Sequence, residues 1–245
     1  MEAAPQSATC HQRVIAIDGP AAAGKSTVAR ELADRLGALL FDTGALYRTV
    51  ALAALRAGVS ADDSKALAEI AGESTVAIHG ASQRDGRLYD IWLGEEDVTW
   101  AVRSPEVGAI VSQVSEHPEV RAALLPVQRR IAGNGPVVMV GRDIGTVVVP
   151  DAGLKIYLDA NSRERAHRRH LETLARGGDE TFQEVLMQTL RRDTVDSGRD
   201  VAPLRQASDA IRIDTADQTI ESVVKTVESL ARAQRMPCGK PVWPP

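Results

Sequence analysis

An α/β fold, three layers deep with a parallel central sheet between helices, is predicted by two features of the chain. Short apolar runs recur at Val14–Ile17, Ala38–Phe41, Val137–Val140, Lys155–Leu158 and Ala210–Ile213, with amphipathic stretches between them. Ala16-Ile17 and Val137-Val138-Met139-Val140 also lack polar alternation, as strands do when helices cover both faces of the sheet.

The first run leads into Gly19-Pro20-Ala21-Ala22-Ala23-Gly24-Lys25-Ser26-Thr27, which satisfies the strand–GxxxxGK[ST]–helix pattern of a phosphate loop (P-loop) without a mismatch. Terminal glycines let successive backbone N–H groups turn inward around an anion. Lys25 supplies a positive charge for β- and γ-phosphates, and the Ser26 hydroxyl is placed to ligate the Mg²⁺ that accompanies ATP. Val28, Ala29, Leu32, Ala33 and Leu36 follow at helical spacing and predict a helix over Lys25–Leu36, with its N-terminus against the nucleotide. A Gly/Ala-rich helix start that binds nothing is the competing reading. The strand before the loop and the helix after it favour triphosphate binding.

Further helices are predicted at Phe182–Asp193 and Thr219–Gln234. Between 43 and 136 the pattern changes. A helix over Ala45–Ala57 precedes antiparallel strands at Ser74–His79 and Arg87–Leu93, then helices at Pro105–Ser115 and Pro118–Ala132. This is too much chain for a simple crossover, so 43–136 is read as an inserted subdomain. A second, basic insertion over 161–178 carries Arg163, Arg165, Arg168, Arg169 and Arg176, and Asn161 with Glu164 suits a helix start. The core is expected to comprise 14–42, 137–160 and 179–235, with disordered extensions at 1–13 and 236–245.

The 245 residues are 44% hydrophobic and 25% charged, with a net charge of −4, so nothing global points to nucleic acid or an acidic membrane. No apolar run approaches the ~20 residues of a span, and Met1–Arg13 lacks the features of a secretion leader. Cys10 and Cys238 have no CxxC partner, which suits a reducing cytoplasm rather than a disulfide framework.

No Asn-Lys-x-Asp guanine motif follows the loop, which weakens a GTPase reading. Arginines instead gather where strands should end: Arg48, Arg142, Arg165, Arg168, Arg169, Arg192 and Arg199. Ligands of such sheets bind beyond the carboxyl ends of the strands, and arginines there would stabilise a phosphoryl group in flight.

At these positions the chain resembles the bacterial cytidylate kinases. Asp42-Thr43-Gly44-Ala45-Leu46-Tyr47-Arg48 is similar to that family's D[ST]GxxYR segment. The run from Gly141-Arg142-Asp143-Ile144-Gly145-Thr146 to Pro150-Asp151-Ala152 is similar to its GRD[IM]GTxVxPDA block. Glu164–Arg169 and the stretch from Arg192-Asp193 through Asp196, Arg199, Ala202-Pro203-Leu204 and Ala207 to Asp209-Ala210 also match, so the likeness runs from about Val14 to Ala231. One departure is Ala21-Ala22-Ala23, where relatives usually carry another glycine; alanine keeps the N–H donors.

The resemblance implies a nucleoside monophosphate kinase, a phosphotransferase with a phosphate group as acceptor, passing the γ-phosphoryl of ATP to CMP or dCMP. It implies a CMP site of Thr43, Arg48, Ser112, Arg121, Arg142, Asp143, Arg192, Asp196 and Arg199, with 43–136 as the NMP-binding part and 161–178 as a short lid. Lys25, Arg142, Arg165, Arg169 and Arg192 are the expected catalytic groups. Cytosine offers a donor amine and an acceptor edge. Arg121 suits the edge, Ser112 and Asp143 the amine, and uracil would leave a carboxylate facing an oxygen. No strong general base is expected, because the attacking phosphate is already largely ionised, with a second pKa of about 6.

Rival readings are another small P-loop kinase, for adenylate, thymidylate or shikimate, and a nucleotide-dependent RNA-binding switch using the arginines of 161–178. Negative net charge and the lack of interleaved aromatics disfavour the switch. A monomer free of membrane and nucleic-acid partners is expected.

Overall fold

The computed structural model describes residues 11–175, 177–199 and 201–234. Strand β1 (Val14–Asp18) enters the phosphate loop, followed by helix α1 (Lys25–Leu36), β2 (Leu39–Asp42), α2 (Gly44–Ala57) and α3 (Ser64–Glu73). Then come the strands β3 (Val76–Gly80), β4 (Tyr89–Leu93) and β5 (Glu96–Asp97), and the helices α4 (Pro105–Glu116) and α5 (Pro118–Ala132). The chain returns to the core with β6 (Val137–Val140), β7 (Leu154–Asp159), α6 (Ser162–Ala175), α7 (Phe182–Gly198), β8 (Ile211–Asp214) and α8 (Ile220–Ala233).

The five core strands form one parallel sheet in the order β2-β6-β1-β7-β8, with helices around it, a three-layer α/β/α fold. All residues of β1 and β6 are buried, which explains their unbroken apolar sequence. Leu32, Phe41, Met139, Ile156 and Leu158 fill the core beside them. The strand order puts β1 at the centre, so the loop that follows it opens onto the middle of the sheet's carboxyl edge. Gly19 makes that exit possible. Its φ is +146°, and a Cβ there would lie 2.0 Å from the Leu158 carbonyl oxygen on β7.

The inserted region holds a small antiparallel sheet, β3-β4-β5. The predicted strand over Arg87–Leu93 begins only at Tyr89, because Arg87 is drawn into an ion cluster. Its guanidinium reaches Asp85 (2.9 Å), Asp90 (2.9 Å) and Asp97 (2.7 Å). Helix α3 was not read from the sequence; Asp63 caps it by accepting the Ala66 N–H (3.0 Å).

One boundary differs from expectation. The expected disordered segment 1–13 ends too late, since His11–Arg13 form a 3₁₀ turn in which His11 Nδ1 lies 2.9 Å from Asp151. The expected tail 236–245, both cysteines and Arg176 lie outside the described residues. The basic stretch is no free flap in this conformation either: α6 packs along α7, which runs to Gly198 behind a capping box of Thr181 and Glu184. The expected Asn161 cap is present, accepting the Glu164 N–H at 2.8 Å.

Gly19→Ala forces a Cβ into backbone at a φ that L-residues rarely adopt. It should lower the unfolding free energy by about 2 kcal/mol or more, read as a fall in the urea midpoint at constant m-value.

Candidate active site

The phosphate loop closes around its own lysine. Lys25 is buried, and its Nζ donates to the Pro20 carbonyl (2.6 Å). Burial drives its pKa well below the ordinary lysine value, Arg142 adds repulsion, and Asp42 and Asp18 pull the other way. Within the loop, Ala22 sits at φ +59° and Gly24 at +84°. Ala22, within the Ala21-Ala22-Ala23 run, therefore occupies a left-handed position, at a cost of roughly 1 kcal/mol. Beside the loop, Ser26 Oγ donates to Asp42 Oδ2 (3.2 Å), and Asp42 Oδ1 accepts the Gly44 N–H (2.9 Å), fixing the start of α2.

On the next strand, β6, the chain turns at Gly141, whose N–H donates to the Ile17 carbonyl (3.1 Å). A Cβ at Gly141 would come within 2.5 Å of Ile144 Cδ1 and 2.9 Å of Thr43 Oγ1, so any larger residue would have to push both side chains aside. Thr43 itself donates from Oγ1 to the Val140 carbonyl (3.0 Å). Ile144–Val148 then form a π-helical turn. Asp18, at the end of β1, accepts the N–H groups of Ile144 and Gly145, both at 2.8 Å. Burial pushes the Asp18 carboxyl up to about 6, although these two donors oppose the shift.

Asp196 on α7 collects the arginines. Arg142 Nε donates to it at 2.9 Å, Arg199 Nη2 at 2.5 Å, and Arg192 Nε lies 3.9 Å away. Burial alone would raise its pKa; Arg142 and Arg199 bring it below the ordinary aspartate value. The two residues expected to read a base hold each other, Arg121 Nη2 to Asp143 Oδ2 at 2.6 Å. The Arg121 guanidinium lies 5.4 Å from the Tyr47 ring centre, and its buried Nε has no protein partner.

Seven cationic side chains and three carboxylates surround a cavity of about 270 Å³ at the loop. It brings together Ala21, Ala22, Lys25, Ser26, Thr43, Arg48, Arg121, Arg142, Asp143, Arg169, Arg192, Asp196 and Arg199. Ser112 is not among them. It is exposed on α4 and lines a neighbouring hollow of about 660 Å³ between α4 and α7, which shares Arg169, Arg192, Asp196 and Arg199 with the first.

Arg165 differs from expectation too. It is buried and wholly engaged, donating to the carbonyls of Ala160 (2.8 Å) and Ala21 (3.1 Å) and forking onto Asp193 at 2.9 and 2.5 Å. Arg169, one turn on, is exposed and faces the cavity. Sequence reading had given no role to Asp18, Tyr47 or Asp193. Only Asp18 carried a signal, a charged residue closing an otherwise apolar strand directly before the loop.

Residues 15–233 match the family model described as Cytidylate kinase. The chain belongs to this family. It is 44% identical over 219 residues to a cytidylate kinase of Citrifermentans bemidjiense, covering 89% of this chain and 92% of the relative. Identity is 45% to that of Geobacter sulfurreducens, with the same coverage, and 48% over 213 residues to that of a Geobacillus species, covering 87% and 93%.

Removing Asp196 leaves three arginines facing one another without their shared counter-ion. Asp196→Ala should cost about 3 kcal/mol of stability by chemical unfolding. Asp196→Asn, with one acceptor kept, should cost less.

Proposed function

We propose that this chain transfers the γ-phosphoryl group of ATP to CMP or dCMP, giving ADP and CDP or dCDP. The observation that carries the reading is one cationic cleft lined by both the phosphate loop and the Arg121–Asp143 pair. The cytidylate names of relatives near 45% identity support it independently.

ATP seats its phosphates on the N–H groups of Gly19–Thr27 and the N-terminus of α1, and Lys25 exchanges the Pro20 carbonyl for phosphate oxygen. Ser26 Oγ and the Asp42 carboxylate, 3.2 Å apart, form the hard-oxygen pair that Mg²⁺ prefers, and they would hold it. When bound, that ion neutralises charge on the β- and γ-oxygens. Arg48, Arg142 and Arg192 hold the acceptor phosphate, Asp196 and Arg199 lie toward the sugar, and Arg121 and Asp143 read cytosine. Asp196 keeps Arg142 and Arg199 oriented before substrate arrives, so little reorganisation is needed in the transition state.

The region 43–136 serves as the NMP-binding part and 161–178 as the lid. Because Ser112 lies in the α4–α7 hollow, it reaches a base beside Arg121 only if α4 and α7 approach. Within the lid, Arg165 positions the loop through the Ala21 carbonyl, whereas Arg169 is the arginine free to meet the transferring group. Closure excludes water, the competing acceptor.

Steady-state assays with CMP, dCMP, UMP, AMP and dTMP test the reading directly. CMP or dCMP should have the highest kcat/KM; a preference for AMP, dTMP or no nucleotide at all overturns it. Lys25→Ala should lower kcat by orders of magnitude with the fold retained. Asp143→Ala should narrow the CMP-to-UMP ratio by weakening CMP. The two lid arginines should separate: Arg169→Ala lowers kcat at least about tenfold at unchanged Tm, and Arg165→Ala lowers Tm and raises KM for ATP.

A further inference from the structure

We infer that Asp18 is a positioning residue for the acceptor site: its carboxylate holds the turn that aims Arg142 and Asp143 and ties it to the strand bearing the phosphate loop. The inference rests on the proposed reading of Arg142 and Asp143 as acceptor-site groups.

Asp18 ends β1 and is almost completely buried, a position where an ionised side chain is expensive unless its oxygens are used. Both are used. Oδ1 accepts the Ile144 N–H and Oδ2 the Gly145 N–H, each at 2.8 Å. Those amides open the π-helical turn Ile144–Val148, which follows Arg142 and Asp143 directly. A π-helical turn leaves early N–H groups without the usual partners, and a two-pronged acceptor meets that need. Space around the contact is tight: a Cβ on Gly145 would lie 3.0 Å from Lys155 Cδ and 3.4 Å from Asp18 Oδ2. One residue beyond Asp18, Gly19 begins the loop. One carboxylate thus fixes the ATP-side loop and the acceptor-side turn relative to each other.

The titratable groups facing Asp18 are Asp143 from the turn, Lys25 from α1 and Tyr157 from β7; the Lys155 ammonium on β7 is instead held by Asp209 and the Pro150 carbonyl. Burial raises the Asp18 pKa to about 6, the two backbone donors oppose this, Asp143 adds to the rise and Lys25 lowers it. Protonation converts one oxygen from acceptor to donor, so it loses one of the two N–H bonds. The acceptor phosphate of a nucleoside monophosphate titrates in the same region. The diagnostic signal must therefore come from the protein alone, or from a difference between variants.

Two measurements test it. In the free wild-type enzyme, hydrogen-exchange protection factors of Ile144 and Gly145 should fall as pH drops from about 7.5 to 5, with those of Val138 and Met139 on β6 unchanged. Equal protection across that range overturns the inference. In Asp18→Asn, which keeps the shape but puts an N–H₂ against a backbone N–H, kcat/KM for CMP should fall about ten- to a hundredfold. The CMP-to-UMP ratio should narrow, and the acid limb that Asp18 adds to the wild-type kcat profile should vanish. A purely structural role would lower Tm but leave the ratio and the limb intact, and that result also overturns the inference. If wild type itself shows no preference for CMP, the functional reading fails, whereas the protection factors still decide whether Asp18 holds the turn.

Discussion

Uncompensated positive charge at the carboxyl edge of the sheet is the constraint on which the site depends. Seven cations share one cavity with three carboxylates, so burial there is reinforced by repulsion. Lys25 and Arg192 are both pushed below their ordinary values by burial, with Arg142 as the next cause in each case. A chain with a net charge of −4 has concentrated cations where it gains least from them without a ligand. On the proposed reading, a polyanion would relieve that repulsion and draw Lys25 off the Pro20 carbonyl, and two nucleotides would supply the opposing charge.

The fold makes such a cluster tolerable by fixing its members from outside. Asp196 orients Arg142 and Arg199 from α7, Asp193 holds Arg165 against the loop backbone, and Tyr47 lies beneath Arg121. Asp18 does the same for backbone, and the arrangement has a cost. A folded-state pKa raised from 3.8 to about 6 means the fold binds this proton more tightly than the unfolded chain does. The associated stability is fully present below about pH 4 and lost as pH rises through 6, so at neutral pH the ionised carboxyl costs the fold about 3 kcal/mol. Retention of a buried charge at that cost fits a demand for geometry rather than for stability.

Much of this was legible in the sequence, for identifiable reasons. The apolar runs and the GxxxxGK[ST] spacing are local signals, and the central strands, α1 and the loop follow from them. What escaped was non-local. Arg87 reads as part of a strand until Asp85, Asp90 and Asp97 are seen around it. Arg165 and Arg169 look equivalent in a basic stretch; only the arrival of Asp193 from α7 distinguishes the bound one from the free one. The mutual pairing of Arg121 and Asp143 joins residues 22 positions apart. The left-handed alanine at position 22 shows the same limit from the other side: its residue type gives no hint of φ, and the loop closure around Lys25 imposes it.

That pairing also bears on specificity. Arg121 and Asp143 satisfy each other in this conformation, so a base gains only what exceeds the bond it disturbs. On the reading proposed above, cytosine would offer an acceptor edge to the guanidinium and a donor amine to the carboxylate, so both residues would keep a partner after it enters. Uracil offers an acceptor to both, and the carboxylate would be left buried against an oxygen. The free Nε of Arg121, buried with no protein partner, adds a donor that only an acceptor edge can use. On the proposed reading, discrimination against uracil would arise less from attraction to cytosine than from a closed pair that uracil would break without replacing.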